Sequence, residues 1–137
     1  MTAAVITAIA AALGLSAVLG VLHSRRSGVL RETAGESAVS IDGLELSVAG
    51  PTIVHFSASW CGPCVAVRRV VDQVCAEVPG VAHLEVDLDT NPEVARELSV
   101  LSLPTTFIFD ADRRQRYRTH GVPTAAVLRS ALEPLLA

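Results

Sequence analysis

The stretch Thr52-Ile53-Val54-His55-Phe56-Ser57-Ala58-Ser59-Trp60-Cys61-Gly62-Pro63-Cys64 decides how the chain is read. Its first half is β-branched and apolar and follows Gly50-Pro51, which predicts a strand over about 52–58. Its second half sets two cysteines two residues apart, a spacing that closes one small disulfide with little backbone movement. Gly62-Pro63 suits a turn that enters a helix, because a proline in the first helical turn forfeits no hydrogen bond. Beyond it, Val67, Val70, Val71, Val74, Cys75 and Val78 recur at helical spacing, predicting a helix over about 62–77 that Pro79-Gly80 ends. A dithiol at a strand-to-helix junction is the signature of thiol–disulfide chemistry. The same CxxC spacing serves half of a zinc site. That use needs two further ligands, and Cys75 with four scattered histidines does not supply them at suitable spacing, so no metal is expected.

Working outward from this stretch, Val81 to Leu88 alternates as a second strand, with Leu84, Val86 and Leu88 on one side and His83, Glu85 and Asp87 on the other. Asn91-Pro92 reads as the cap and first position of a short helix. Leu103 to Phe109 is a third strand, Asp110-Ala111-Asp112 a turn, and Arg114 to Thr119 a fourth, more polar strand. Val122-Pro123 opens a last helix with Val127, Leu128, Ala131, Leu132, Leu135 and Leu136 on one face. The order β-α-β-α-β-β-α is an α/β class. Helices between the early strands imply a parallel half of a mixed sheet, and the tight turn implies an antiparallel hairpin. Upstream, Ile41 to Leu46 reads as a short hairpin or edge strand turning at Asp42-Gly43.

Totals narrow the classes. A chain of 137 residues holds one domain and an appendage, and 50% hydrophobic residues allow a sizeable core. A net charge of −3, without a basic stripe, excludes a nucleic-acid partner from the expectations. Three cysteines are too few for a disulfide-stapled scaffold.

The appendage is N-terminal. Thr2 to Leu22 carries no charge, which is about the length a helix needs to cross a bilayer. A signal peptide would want a positive residue ahead of the apolar run and a small-x-small cleavage site, where Val21-Leu22-His23 stands here. A buried soluble helix would show a polar face, and this one has Thr2, Thr7 and Ser16 alone. The segment is therefore read as one transmembrane anchor over 1–22. It is followed by a flexible polar linker over 23–38 and a domain over 39–137. Arg25, Arg26 and Arg31 follow the apolar run, and the positive-inside rule places the domain on the cytoplasmic side of the cell membrane.

Trp60-Cys61-Gly62-Pro63-Cys64 after the first long strand, and Leu103-Pro104-Thr105 opening the third, resemble the thioredoxin family. The resemblance covers about residues 39–137 and implies the thioredoxin fold, with the family's usual first helix missing or reduced. It implies that Cys61 attacks and Cys64 resolves, with no cofactor beyond their disulfide. It further implies that Pro104 is a cis proline facing that disulfide, leaving the backbone of Leu103 open to an extended substrate. Trp60, Gly62, Pro63 and Gly121 would then complete a substrate-binding face. A thiolate is needed at Cys61, and a helix N-terminus favours one. The implied activity is reduction of disulfides in protein partners, because Gly-Pro between the cysteines is similar to the reducing members. A flavin-dependent reductase would serve as upstream donor. Two alternatives stand beside it: an extracytoplasmic exchange protein acting on exported or apocytochrome thiols, and a redox-gated binding or chaperone module without turnover.

One departure concerns the proton. His55 stands where the family usually has a buried Asp, and Glu85 where its Lys partner stands. A His–Glu pair is expected in their place, and two readings of it stand level: His55 takes the proton of Cys64 at neutral pH, or it is a buried neutral ring bonded to a backbone group. Cys75 is expected to point into the core as an inert thiol. His83, His120 and the arginines at 113, 114, 116 and 118 are expected to be solvated.

Overall fold

The computed structural model describes residues 2–26, 28–33 and 43–137. Its elements in chain order are α1 (Thr2–Arg26), β1 (Arg31–Glu32), β2 (Thr52–Ser57), α2 (Cys64–Glu77), β3 (Ala82–Asp87), α3 (Pro92–Glu97), β4 (Thr105–Phe109), β5 (Gln115–His120) and α4 (Ala125–Leu132), followed by a 3₁₀ turn over Glu133–Leu135. The expected β-α-β-α-β-β-α order is present from β2 to α4. One mixed sheet has strand order β1-β5-β4-β2-β3. β2 and β3 are parallel, while β2–β4, β4–β5 and β1–β5 are antiparallel. This is the thioredoxin fold.

Alternation along the strands builds two cores. Val54 and Phe56 of β2 join Val86, Phe107 and Phe109 beneath Val94, Ala95 and Leu98 of α3 and its C-terminal end. Phe107 stands edge-on to Phe56, with ring centroids 5.8 Å apart. Ile53 of β2 faces the other way and joins Ile108 beneath Val67, Val71 and Val74 of α2 and Leu128, Ala131 and Leu132 of α4. His55 shares the parity of Ile53, so it lies on the face covered by α2.

α2 starts at Cys64 rather than near residue 62, with Pro63 at the cap position in helical backbone conformation. α4 starts later than Val122-Pro123 suggests, because Thr124 caps it: the Thr124 hydroxyl accepts from the Val127 N–H at 3.3 Å. Asn91 precedes Pro92 as expected, yet its amide donates to Asp87 O and Thr90 Oγ1 instead of capping α3.

Two expectations need correction. The linker over 23–38 is not flexible throughout. α1 runs on to Arg26, and residues 28–33 lie along β5, with Arg31 opposite Arg118 and Glu32 opposite Tyr117. The Gly28 N–H donates to His120 O at 2.6 Å and the Thr33 N–H to Arg116 O at 2.9 Å. β5 would otherwise be an open edge, and its unpaired backbone groups select this segment whatever its side chains. Exposed Arg-Glu carries no apolar periodicity, so the pairing leaves no mark in the pattern. Second, residues 43–47 form no strand; Ile41 and Asp42 of that reading lie outside the described residues. Between β1 and β2, residues 43–51 hold no helix, and Leu46 plugs the α3-side core from this segment.

Candidate functional site

β2 ends at Ser57, and the turn that follows brings Cys61 and Cys64 together as a disulfide, with Cα atoms 5.5 Å apart. The Cys61 N–H donates to Ala58 O at 3.0 Å, and the Cys64 N–H to Cys61 O at 3.2 Å. Cys61 is 7% exposed and Cys64 is 2% exposed, so the first cysteine is the less enclosed of the pair. Cys64 Sγ lies 3.8 Å from Phe56 O, tucked against the end of β2. Ala58 and Leu103 pack on the pair.

Trp60, Gly62 and Pro63 adjoin the pair in the chain, and Pro104 adjoins Leu103. The Leu103–Pro104 peptide is cis, and the Gly121 N–H donates to Pro104 O at 3.0 Å. Gly121 has φ +80°, a left-handed conformation that favours glycine. Gly62 is different: a Cβ there would meet nothing within 4 Å. Packing does not demand glycine at 62. Trp60 is 66% exposed, with its indole N–H donating to Asp89 Oδ2 at 3.2 Å. Leu101, 91% exposed, adds a second bare apolar side chain in the loop ahead of Pro104. The Thr105 hydroxyl donates to Ser102 O at 2.7 Å, so the 3.1 Å contact between Thr105 Oγ1 and His120 Nδ1 is donated by the ring. His120 therefore braces the Pro104 strand rather than lying free. Burial, then Arg118 and Arg31, hold its pKa below the ordinary value.

The polar network beneath α2 differs from the expected His–Glu pair. His55 is fully buried, and its Nδ1 lies 2.8 Å from His83 Nε2, whose own Nδ1 lies 3.0 Å from Asp72 Oδ1. The Asp72 carboxylate accepts, so His83 carries its proton on Nδ1 and accepts on Nε2 from the His55 Nδ1–H. That hydrogen-bond assignment leaves His55 Nε2 as a bare lone pair, without a hydrogen-bond partner among the described residues. Thr106 Oγ1, cross-strand from His55, is buried in the same condition. Glu85 Oε1 stands 3.6 Å from His55 Nε2, beyond hydrogen-bond reach. Its bonds go instead to Arg68, through Nε at 2.7 Å and Nη2 at 2.5 Å, and to the Ser57 hydroxyl at 2.7 Å. Burial outweighs the pull of Glu85 and lowers the His55 pKa to about 4. His55 is thus neutral across the neutral range and a weaker base than a free histidine. The Arg68 fork, ahead of the Ser57 hydroxyl, lowers Glu85 to about 2.

An Arg68→Ala variant should return the Glu85 carboxyl toward the ordinary Glu range. It should also raise His55, because the guanidinium charge presses on both groups in the same sense. NMR titration of the two side chains checks this; unchanged values would mean that the fork does not form in solution.

Cys75 is half-buried on α2 against the core under α4 and takes no part in the site; burial raises its thiol pKa. His83, Asp72 and Arg68 are the site residues that sequence reasoning passed over. A signal existed: His83, Glu85 and Asp87 alternate in phase with His55, and Arg68 and Asp72 sit four apart on α2, one turn above them. Arg118 is likewise not solvated. It donates to Leu98 O at 3.1 Å and Ser99 O at 2.7 Å, and its guanidinium carbon lies 5.0 Å from the Phe107 ring centroid. Among the described residues no cluster of three His, Cys, Asp or Glu side chains could hold a metal ion.

This fold is shared with known proteins. The family model described as thioredoxin matches residues 44–133. A thioredoxin of Mycolicibacterium smegmatis is 34% identical over 112 residues, covering 77% of this chain and all of the relative. The bifunctional thioredoxin reductase/thioredoxin of Mycobacterium leprae is 38% identical over 85 residues, covering 61% of this chain and 19% of that longer protein. Among solved structures, chloroplastic thioredoxin z superposes with a TM-score of 0.58 at 32% identity, covering 64% of this chain and 79% of its own. With a disulfide at the β2–α2 junction, a cis proline opening β4 and a family match that spans both, this chain belongs to the thioredoxin family.

Proposed function

We propose that this protein is a membrane-tethered thiol–disulfide oxidoreductase that reduces disulfides of protein partners on the cytoplasmic side. The observation that carries the reading is the Cys61–Cys64 disulfide in a thioredoxin fold, with Cys61 the less enclosed of the two and Trp60 bare beside it. In the reduced protein the Cys61 thiolate attacks one sulfur of the partner's disulfide. That bond breaks, a Cys61–partner disulfide forms, and the first partner sulfur leaves as a thiolate that takes up a proton. Cys64 then gives up its proton and attacks Cys61 Sγ. The Cys61–Cys64 bond forms, the second partner thiol leaves, and two electrons have passed from the protein to the partner. The unpartnered His55 Nε2 is the group we assign to take the Cys64 proton as that attack begins, although burial makes it a weaker base than a free histidine. His83 and Asp72 act as positioning residues that hold the Nε2 lone pair free and lead toward solvent. A flavin-dependent reductase resupplies the electrons. The M. leprae relative, whose name joins a thioredoxin reductase to a thioredoxin, supports that pairing.

The tether reading is supported by α1, which is long and apolar enough to cross a membrane by length and composition. None of its residues from 5 to 22 is buried against the domain, unlike a core helix. An apolar surface of that extent needs a non-aqueous cover. The arginines at 25, 26 and 31 favour the cytoplasmic side.

The full chain in detergent, given a chemical reductant, should reduce insulin disulfides catalytically, and a reporter fused after Ala137 should be active only in the cytoplasm. A binding module without turnover would reduce no insulin. An extracytoplasmic domain would reverse the reporter.

A further inference from the structure

Resting on the reading of α1 as a membrane span, we infer that the dithiol is held against the membrane surface and serves disulfides of membrane-embedded partners close to the headgroups. The warrant is the shortness of the junction between anchor and site. The apolar window of α1 ends at Leu22, and helix continues to Arg26, about 6 Å further along its axis. Gly28 follows two residues later, at most about 7.6 Å away whatever the conformation at residue 27. Gly28 therefore lies no more than about 14 Å from the hydrocarbon edge, and the headgroup layer occupies about 5–7 Å of that distance.

Gly28 is not a free tether residue. It is buried, has φ +83°, and a Cβ on it would stand within bonding-clash range of the backbone, 2.4 Å from Val122 O. Its N–H donates to His120 O, Leu30 packs on the α2–α4 core, and Thr33 is bonded to β5 through Arg116 O and Gln115 O. The junction is thus clamped to the β5–α4 loop. That loop belongs to the site: the Gly121 N–H bonds Pro104 O, the His120 ring bonds Thr105, and Leu103 packs on the disulfide. From the anchor junction to Pro104, the chain neighbour of the Leu103 that packs on the disulfide, there are two hydrogen-bonded steps. A long linker would let the domain reach soluble partners in any direction. This one, clamped at the edge of its own substrate face, makes the bilayer one wall of the approach. The partner that fits is an extended, disulfide-bearing segment beside the membrane surface of another membrane protein, not a disulfide far above it.

The test uses the pre-reduced full chain in phosphatidylcholine vesicles. Three probes carry the same disulfide peptide: one lipid-anchored directly at the surface, one lipid-anchored on a rigid helical spacer of about 40 Å, and one free in solution. The wild-type chain should reduce the surface peptide roughly tenfold faster than the raised one, since tethering helps only where geometry lets both ends engage. A 20-residue Gly/Ser insertion after Arg26 should bring the two rates within about twofold of each other. Gly28→Val should move the ratio of surface to raised peptide in the same direction. Wild-type vesicles that reduce the free peptide but treat the surface and raised peptides alike overturn the inference and leave the dithiol reading standing. Vesicles that reduce none of the three contradict the dithiol reading, and the inference falls with it. A chain that fails to remain with the vesicles removes the span on which it rests.

Discussion

Replacing Cys61 by serine should abolish disulfide reduction, and replacing Cys64 by serine should stop the reaction halfway, at a covalent complex. The two outcomes differ because the two sulfurs differ in position. Cys61 precedes α2 and is the more exposed of the pair, with open space beyond Gly62. Cys64 is the first residue of α2, packed against the end of β2. Without Cys61 no sulfur is presented to a partner, and the rate should fall by roughly three orders of magnitude or more, to that of the uncatalysed background. Without Cys64 the first exchange still proceeds, and the mixed disulfide at Cys61 has no internal thiol to displace it. Cys75 cannot substitute: it is half-buried on the α4 side of the helix, and burial keeps its thiol protonated. Non-reducing electrophoresis of Cys64→Ser from cells should therefore show partner adducts that thiol reductant removes. Adducts on a Cys61→Ser chain would assign the attack to the wrong sulfur.

The second large effect is on stability in acid. His55 is fully buried and its pKa falls from 6.5 to about 4 because burial penalises the imidazolium more than Glu85 rewards it. His83, Arg68 and Asp72 face the same ring, the first two opposing its charge and the third favouring it. The unfolded chain thus binds this proton more readily than the folded one. The stabilisation is complete above pH 6.5 and is lost as pH falls toward 4, amounting to about 3 kcal/mol in full. Glu85, with its pKa lowered to about 2, adds a further loss only below about pH 4.5. Between pH 6.5 and 4.5 Glu85 adds nothing, and the difference between the wild type and His55→Gln separates His55 from His120, whose lowered pKa acts in the same sense. Denaturant unfolding of the full chain in detergent should show the wild type losing most of that amount in the interval. A His55→Gln chain should lose much less there, with His120 supplying what remains. Equal slopes for the two chains would mean that His55 is not buried as a neutral ring. The kinetic counterpart is His55→Ala. If Nε2 takes the Cys64 proton, the resolving step slows and its pH profile shifts; an unchanged rate and profile would leave His55 a packing residue.

How much of this was legible beforehand follows from what each feature depends on. The strand, turn and helix around Cys61 rest on local pattern, β-branched then Gly-Pro then a valine stripe, and all three appear within two residues of their expected bounds. Pro104 and Gly121 were assigned through family likeness and do meet across a 3.0 Å hydrogen bond. What escaped was whatever depends on register and on edges. The replacement of Asp by His at 55 was visible, but its partner was taken as Glu85, directly opposite on β3. Geometry hands Glu85 to Arg68 and gives His55 the residue opposite Ile53, which is His83. A diagonal pair of this kind needs the side-chain reach of α2 above the sheet, and Arg68 and Asp72 supply it. The pairing of residues 28–33 with β5 was hidden for another reason. An edge strand is recruited by backbone groups, and backbone groups are the same in every sequence.

The central claim is that two cysteines of this chain, and not the third, exchange electrons with a partner. It is tested most directly by reducing the full chain, mixing it with one equivalent of a disulfide peptide, quenching with an alkylating reagent and measuring peptide masses. The account predicts that Cys61 and Cys64 lose their alkyl labels together, that the peptide gains two, and that Cys75 keeps its own. Retention of all three labels on the protein, or loss at Cys75 with Cys61 still labelled, would contradict it.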